Sequence, residues 1–600
     1  MTIYESPYPP LPAIPDTNAH NILLGRPEQD EWSPFPLYID AASGASLSFS
    51  AFRNQVTLAA TALAPRLAHK TARVGILSEN CMMYAIAVHA LIRLAVPFVL
   101  LPSQATTYEL AHTLKLTKPS LILASSALIS HVKGTGLMTD GGVLELEDEL
   151  ARMIGLAKDK AVVGAKQAKR DTLAYLVLSS GTSGLPKAVM ITHGNIIASS
   201  FQIDAVARAM SQSNALQPNV ASGPASRPTL LAFLPMYHSY GLHVYVFRNL
   251  LSPTTTVIMR KWEIEGALAA ITGYDITSIA LVPSVVHQLS NYAAENPAAV
   301  RGALSRVSNL ACGAAHLPSD LKEKFLARCG SQASFAEGTS KPAIDISPAP
   351  SRHPQTLSAI GPPPNLPPPR GSLGKLVPGL RARIVPDADS EESIDAARYG
   401  AEYPAGREAA VGELQVSGPT IAAGYWGNER ATRETFLVEG NERWLRTGDR
   451  LQVDNEGWFY FSDRAKDTLK VSGAQVSPRE IEDVIRNASD VRVVDVAVAG
   501  VSGHGRTSDE RVPRAWVVLS GIGLDRPGGA SQDEPTILEA IDAWTKAQLS
   551  RHKWLRGGIQ SVGEIPKNPT GKVLRRVLVE RYEQDLIDRK EKKVNLGAKL

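Results

Sequence analysis

Cysteine is nearly missing from this chain: 600 residues hold only Cys81, Cys312 and Cys329. Their spacing matches no metal-ligand pattern, and an odd count argues for a reducing compartment rather than a disulfide framework. Excess charge of one sign is also absent. The formal net charge is +4, and there is no dense Lys/Arg run of the kind that grips nucleic acid. The cluster Arg589-Lys590-Glu591-Lys592-Lys593 is interrupted by an acid and reads as a solvated helix face. Long apolar runs are lacking as well. The longest, Ala85 to Leu101, contains His89, Arg93 and Pro97, so a buried helix running into a strand is expected there, not a membrane span. The opening MTIYESPYPPLPAIP has no basic or apolar region of the secretory type, and no leader is expected. These absences leave a globular composition, 44% hydrophobic and 20% charged. A single core does not fill so long a chain, so two or more domains are expected.

The most informative stretch is Tyr175 to Asn195, YLVLSSGTSGLPKAVMITHGN. An apolar run from Leu173 to Leu178 predicts a buried strand, and Ala188 to Thr192 predicts a second, with Asn195 as the cap of a following helix. Between them lie Ser179, Ser180, Gly181, Thr182, Ser183 and Gly184, closed by Leu185-Pro186-Lys187. Glycines let backbone N–H groups approach a ligand, hydroxyls add donors and Lys187 adds positive charge, which together suit a polyphosphate. The loop is not of the Walker type, because Pro186 precedes the lysine and a strand follows it. Read alone, a Ser/Gly turn on the surface is the plainer account.

Segments Val74 to Leu77, Val96 to Leu101 and Ser120 to Leu123 read as short strands separated by helical patterns such as Thr106 to Leu116, which argues for α/β layers. Tyr38 to Leu67 reads as a strand pair and an amphipathic helix. Residues before about Asp40 form a proline-rich leading arm. Ser211 to Pro228 and the proline-dense Ser347 to Arg370 are expected to be irregular. In LLAFLPMYHSYGL a strand ends at Pro235, and His238 sits in a turn beside Tyr237, Tyr240 and Gly241; a lone histidine among aromatics is most simply a packed one. Asp449, in Thr447-Gly448-Asp449, is most simply part of an Asx turn. Pro566 to Arg575 is, by itself, a basic solvated turn.

Taken together and in this order, these strings resemble the adenylate-forming (AMP-binding) superfamily, in particular acyl-CoA synthetases of the 4-coumarate:CoA ligase kind. The resemblance spans roughly residues 40 to 585 and lies in the order of SSGTSGLPK, L-P-x-x-H-x-x-G, Gly313-Ala314-Ala315, Gly412-Glu413-Leu414, Thr447-Gly448-Asp449, Asp463-Arg464-Ala465-Lys466 and Pro566 to Lys572. It implies an α/β chain with a large multi-subdomain N-terminal domain over 1–462 that carries the ATP and acyl sites. A hinge at 463–466 and a smaller α+β C-terminal lid domain over 467–600 would follow. The implied reaction joins a carboxylic acid to coenzyme A through an acyl-adenylate, using ATP and Mg²⁺.

The resemblance also carries roles. Lys572, Lys187 and His238 would be catalytic. Ser179 to Gly184, Lys187, Gly313, Ala314, Ala315, Asp449, Arg464 and Lys572 would bind ATP or AMP, with Asp449 accepting from both ribose hydroxyls, which a carboxylate with two oxygens can do. His238, Tyr240 and Gly313 would line the acyl pocket. Lys470, Gly473 and Gln475 would serve the second half-reaction with coenzyme A, and Lys466 would be the hinge. The family's Y-G-x-T-E is degraded here to Phe335-Ala336-Glu337-Gly338-Thr339-Ser340. One alignment keeps Glu337 as the magnesium ligand and loses the hydroxyl to Ala336; the other keeps Thr339 and loses the carboxylate to Ser340. Glu337 is preferred, because a hard cation wants charged oxygen. Ala188 and His316 are smaller departures, replacing a glycine and a proline.

The expected partners are a small carboxylic acid, ATP and coenzyme A, with no nucleic acid and no membrane span. Ala598-Lys599-Leu600 resembles a peroxisomal address read by an import receptor, so the peroxisome, or otherwise the cytoplasm, is the expected location. Two other functions share these motifs: an acyl-AMP ligase that loads a carrier protein, and a non-catalytic adenylate- or acyl-binding protein.

Overall fold

The computed structural model describes residues 2–69, 72–179, 186–215, 227–312, 319–329, 334–336, 360–361, 369, 372–386, 409–464, 469–471, 474–476, 478–486, 488, 493–503, 511–519, 534–566, 573, 575 and 577–586. The chain divides into two compact units. The first gathers Met1–Ser103, Thr113–Ser179 and Ala188–Ala465, and the second gathers Gln104–His112, Ser180–Lys187 and Lys466–Leu600.

Three sheets build the first unit. One seven-stranded sheet runs Gly424–Tyr425, Lys187–Thr192 (β2), Leu173–Ser179 (β1), Phe98–Leu101, Val74–Leu77, Leu121–Ala124 and Val143–Glu145. Its central strands pair in parallel. Val74–Leu77, Phe98–Leu101 and Leu121–Ala124 are buried at every residue. That is why they read as unbroken apolar runs: helices cover both faces of a parallel sheet, so there is no wet side to alternate with. A second seven-stranded sheet is parallel except for the hairpin of Pro36–Asp40 with Ser46–Ser48. The third has eight strands, all antiparallel, with Ala409–Ser417 (β3), Glu442–Asp454 (β4) and Phe459–Arg464 (β5) side by side. One continuous apolar core joins the three, from Leu37, Val74 and Tyr175 to Leu231, Leu414 and Leu451.

The leading arm is knit into this unit. Ile3–Glu5 adds an antiparallel strand to Arg381–Val385. Asn18 accepts from the His20 N–H at 2.9 Å and donates to the carbonyls of Ile92 and Lys166, each at 2.8 Å.

Three local expectations are corrected. The helix after β2 (α1, His193–Ala215) starts ahead of Asn195 and runs into the stretch expected to be irregular. Thr192 is its cap: the Asn195 N–H donates to Thr192 Oγ1 at 3.2 Å, and Asn195 Oδ1 accepts from the Thr192 N–H at 3.0 Å. Asn195 is thus the third helical residue of a reciprocal capping box, with an amide doing the work that Glu or Gln does elsewhere. Within Ser347 to Arg370, Ile360–Gly361 forms a short strand against Ser372–Leu376.

The second unit has its own cores. The antiparallel pair Val493–Ser502 and Arg511–Leu519, with Ile559–Ser561 parallel to the latter, packs one face on helices Pro478–Arg486 and Glu534–Gln548. Its other face packs on Leu578 and Ile565. At its centre Lys553, 7% exposed, donates to Glu109 at 2.6 Å and to Glu480 at 2.8 Å. Burial works against the ammonium, but the carboxylates of Glu480 and Glu109 hold its pKa above the usual lysine value. No helix among the described residues is long and apolar enough to cross a membrane.

Candidate active site

Strand β1 ends at Ser179, which is buried. Its Oγ has no hydrogen-bond partner among the described residues. Ser180, Gly181, Thr182, Ser183 and Gly184 lie outside the described residues. Lys187 opens β2 and is half-buried, and Ala188 beside it is buried. Asn195 then ties this region to the third sheet's neighbourhood, donating to the carbonyls of Pro419 at 2.8 Å and Ile421 at 2.9 Å.

His238 is held by backbone chemistry. Its N–H donates to the Pro235 carbonyl at 3.1 Å, and the short helix Ser239–Leu242 (α2) begins at once. Gly241 explains the motif's spacing: a Cβ there would sit 2.2 Å from the Pro235 carbonyl oxygen. Asn80 pins the turn, accepting from the Met236 N–H at 2.8 Å and donating to the Leu234 carbonyl at 3.0 Å. His238 Nδ1 accepts from the Tyr240 N–H at 3.2 Å, so in the neutral ring the proton sits on Nε2. The residue is exposed by its surface area, yet protein crowds it closely enough that desolvation lowers its pKa. A neutral imidazole at pH 7 follows. Tyr240, two residues on, is half-buried.

A five-residue π-helical stretch, His243–Phe247, continues from α2. His243 Nε2 lies 2.9 Å from the Tyr175 hydroxyl, which links the strand ahead of the Ser/Gly loop to the segment after His238. Burial, with Arg248 adding to it, lowers the His243 pKa, and the tautomer sets which of the two groups donates. Sequence reading missed this pair. No local signal marks a contact between residues 68 positions apart.

Asp449 is 2% exposed in β4, and its Cα partner across the ladder to β5 is Arg464. Gly448 has φ +69, the left-handed region that lets the chain bulge out of the strand. Two residues whose roles sequence reading missed surround that bulge, Glu413 and Arg446. Glu413 lies inside a quoted motif and Arg446 directly precedes another, and that was the available signal.

Lys470 and Gln475 face each other as Cα partners in the hairpin of Leu469–Val471 with Ala474–Val476. Gly313, Ala314, Ala315, Glu337, Lys466, Gly473, Lys572 and Ala598-Lys599-Leu600 lie outside the described residues. Among the described residues no group of three His, Cys, Asp or Glu side chains is placed to hold a metal ion.

The fold is that of the adenylate-forming enzymes. A solved amide bond synthetase from Marinactinospora thermotolerans, 21% identical, covers 94% of this chain and 99% of its own with a TM-score of 0.66. The o-succinylbenzoate CoA synthetase of Bacillus subtilis, also 21% identical, covers 93% and 97% with a TM-score of 0.65. A model of the AMP-binding enzyme family matches residues 30–426, and the chain belongs to that family. Among curated proteins, a probable CoA ligase of Humulus lupulus is 29% identical over 90% of this chain and 89% of its own. The peroxisomal OPC-8:0-CoA ligase 1 of Arabidopsis thaliana is 26% identical over 96% of both.

Proposed function

We propose that the protein is an ATP-dependent acyl-CoA ligase. A carboxylic acid attacks the α-phosphorus of MgATP and releases pyrophosphate; the thiol of coenzyme A then attacks the acyl carbonyl and AMP leaves. The observation that carries this reading is end-to-end similarity to CoA ligases, over 96% of both chains in the Arabidopsis case.

Carboxylate and triphosphate repel each other, so the first step needs aligned geometry and positive charge. In this reading Lys572 bridges the carboxylate and the α-phosphate oxygens. Lys187 and the N–H groups of Ser180 to Gly184 stabilise the departing pyrophosphate. The buried Ser179 hydroxyl, unpaired among the described residues, supports a polar ligand at the end of β1. Asp449 accepts from the ribose hydroxyls and Arg464 serves the ribose–phosphate side; their pairing across β4 and β5 supports one shared binding edge.

The neutral His238 and Tyr240 stand at the acyl group together with Gly313. Gly313, Ala314 and Ala315 form the flat seat of the adenine. Glu337 is the carboxylate assigned to the magnesium that accompanies ATP. For the second step the C-terminal segment turns about Lys466, and Lys470, Gly473 and Gln475 serve the pantetheine arm.

The test is pyrophosphate release from MgATP across aliphatic, hydroxylated and aryl acids, with and without coenzyme A. Turnover that requires coenzyme A supports the ligase and names the acid class. Slow release indifferent to coenzyme A points to a carrier-protein acceptor. ATP binding with no release on any acid points to a non-catalytic protein. A peroxisomal destination is supported by the name of the Arabidopsis relative, and imaging of the tagged chain with its C-terminus free tests it.

A further inference from the structure

Extra residues are lodged in β4 opposite β3. The register pairs Gly412 with Leu451 and Glu413 with Arg450, then jumps to Gln415 with Arg446. Thr447, Gly448 and Asp449 therefore stand opposite Leu414 alone. A bulge this wide takes backbone groups out of the ladder, and they are buried here: Thr447 and Asp449 are each 2% exposed.

Side chains replace the missing ladder bonds. The Thr447 hydroxyl donates to the Leu414 carbonyl at 2.7 Å and accepts from the Asp449 N–H at 3.2 Å. Glu413 Oε1 accepts from the Gly448 N–H at 3.1 Å. Glu413 Oε2 accepts from Arg446 Nε at 3.0 Å and Nη2 at 2.9 Å. Glu413 is 8% exposed and comes from the neighbouring strand, so its own position is fixed by the sheet. One carboxylate thus grips the chain on both sides of Thr447, by the Arg446 side chain before it and the Gly448 N–H after it.

Only a carboxylate takes all three donors. A glutamine has one acceptor oxygen, and its NH₂ would meet either the Gly448 N–H or the guanidinium, donor against donor. Thr447 and the flanking register also hold the bulge. What Glu413 adds is the orientation of the peptide between Thr447 and Gly448, one residue ahead of the Cα from which the Asp449 side chain departs.

We propose that Glu413, braced by Arg446, is a positioning residue that sets the Asp449 carboxylate and thereby the enzyme's discrimination for the 2′- and 3′-hydroxyls of its nucleotide. This rests on the reading of Asp449 as the ribose acceptor. No contact of Glu413 with the nucleotide is involved.

The experiment compares ATP, 2′-deoxy-ATP and 3′-deoxy-ATP in pyrophosphate release by the full chain. The wild type is expected to prefer ATP. In Glu413→Gln that preference shrinks roughly tenfold, as misplacement of a binding group predicts, with KM for ATP raised and KM for the acid unmoved. Arg446→Lys keeps the charge but not the two-point fork, and shows a smaller loss in the same direction. It also serves as the test where Glu413→Gln does not fold. Unchanged preference for ATP in a folded variant overturns the proposal, and so does an equal fall with all three nucleotides, the mark of a purely structural role. A wild type that treats the three alike overturns the ribose reading of Asp449 as well, so the two failures are told apart.

Discussion

Asp449 and Arg464 are Cα partners on adjacent antiparallel strands, so a carboxylate and a guanidinium residue 15 positions apart share one rung of the third sheet. Asp449 is buried within a bulge, while the strand that carries Arg464 ends there. In the proposed reading the two residues assigned to the nucleotide thus come from adjacent strands of one sheet, which positions residues better than a loop does.

Asp449→Asn should fold normally and lower kcat/KM for ATP. The amide keeps one acceptor oxygen and loses the charge, and a hydrogen bond to a charged group contributes about 1.5–3 kcal/mol, so a fall of roughly 10- to 150-fold is expected. Pyrophosphate release against ATP concentration measures it. An unchanged kcat/KM would remove Asp449 from the nucleotide site.

Lys572→Ala separates the half-reactions. Adenylate formation should fall by roughly 10²- to 10³-fold, the usual cost of one transition-state donor. Conversion of preformed acyl-adenylate and coenzyme A to thioester should persist. Wild-type adenylate formation in this variant contradicts the assignment.

Lys553→Met should destabilise the second unit by about 3–5 kcal/mol, because two buried carboxylates lose their counter-ion. Adding Glu109→Gln and Glu480→Gln should restore most of that loss in urea unfolding. Glu109 is the carboxylate that the ammonium, with backbone donors, holds below its usual pKa despite burial; burial pushes Glu480 up. The Lys553–Glu109 pair therefore contributes through the neutral range. Its contribution fades as pH falls through the lowered Glu109 pKa or rises through the raised Lys553 pKa. Equal stability of wild type and Lys553→Met would show the cluster to be energetically idle.

Acid should unfold the first unit steeply. Burial lowers the pKa of His20 to about 3, and of His89 and His193 to about 4, with Arg93 adding to the effect at His20. The His89 Nε2–H donates to the Val246 carbonyl at 2.7 Å, and its Nδ1 has no partner among the described residues, so a second proton has nowhere to go. These folded-state values lie below the unfolded one, so the histidines' contribution is complete above pH 6.5 and is lost as pH falls toward 4. Each adds a slope of about 1.4 kcal/mol per pH unit, roughly 4 for the three together. His193→Asn, which can still accept from the Ala19 N–H, should remove about a third of that slope. A urea midpoint constant from pH 7 to pH 5 would refute this.

Periodicity and composition determined the layers. Fully buried parallel strands are apolar at every position, and Val74–Leu77 and Phe98–Leu101 declare themselves in a window of a few residues. The order of the motifs determined the family, and Gly241 and Gly448 mark backbone that a side chain would obstruct or strain. The tertiary structure alone decided what depends on partners distant in sequence. Asn195 looked like a cap; it is the third residue of a capping box, and its side-chain amide reaches carbonyls more than 200 positions away. Glu413 looked like one letter of a motif, and it takes the hydrogen bonds that a bulge 35 positions on cannot make within its own ladder. A sequence window registers burial and turn chemistry because they are local, whereas the occupant of a broken rung is set by strand register, which exists only once the sheet has formed.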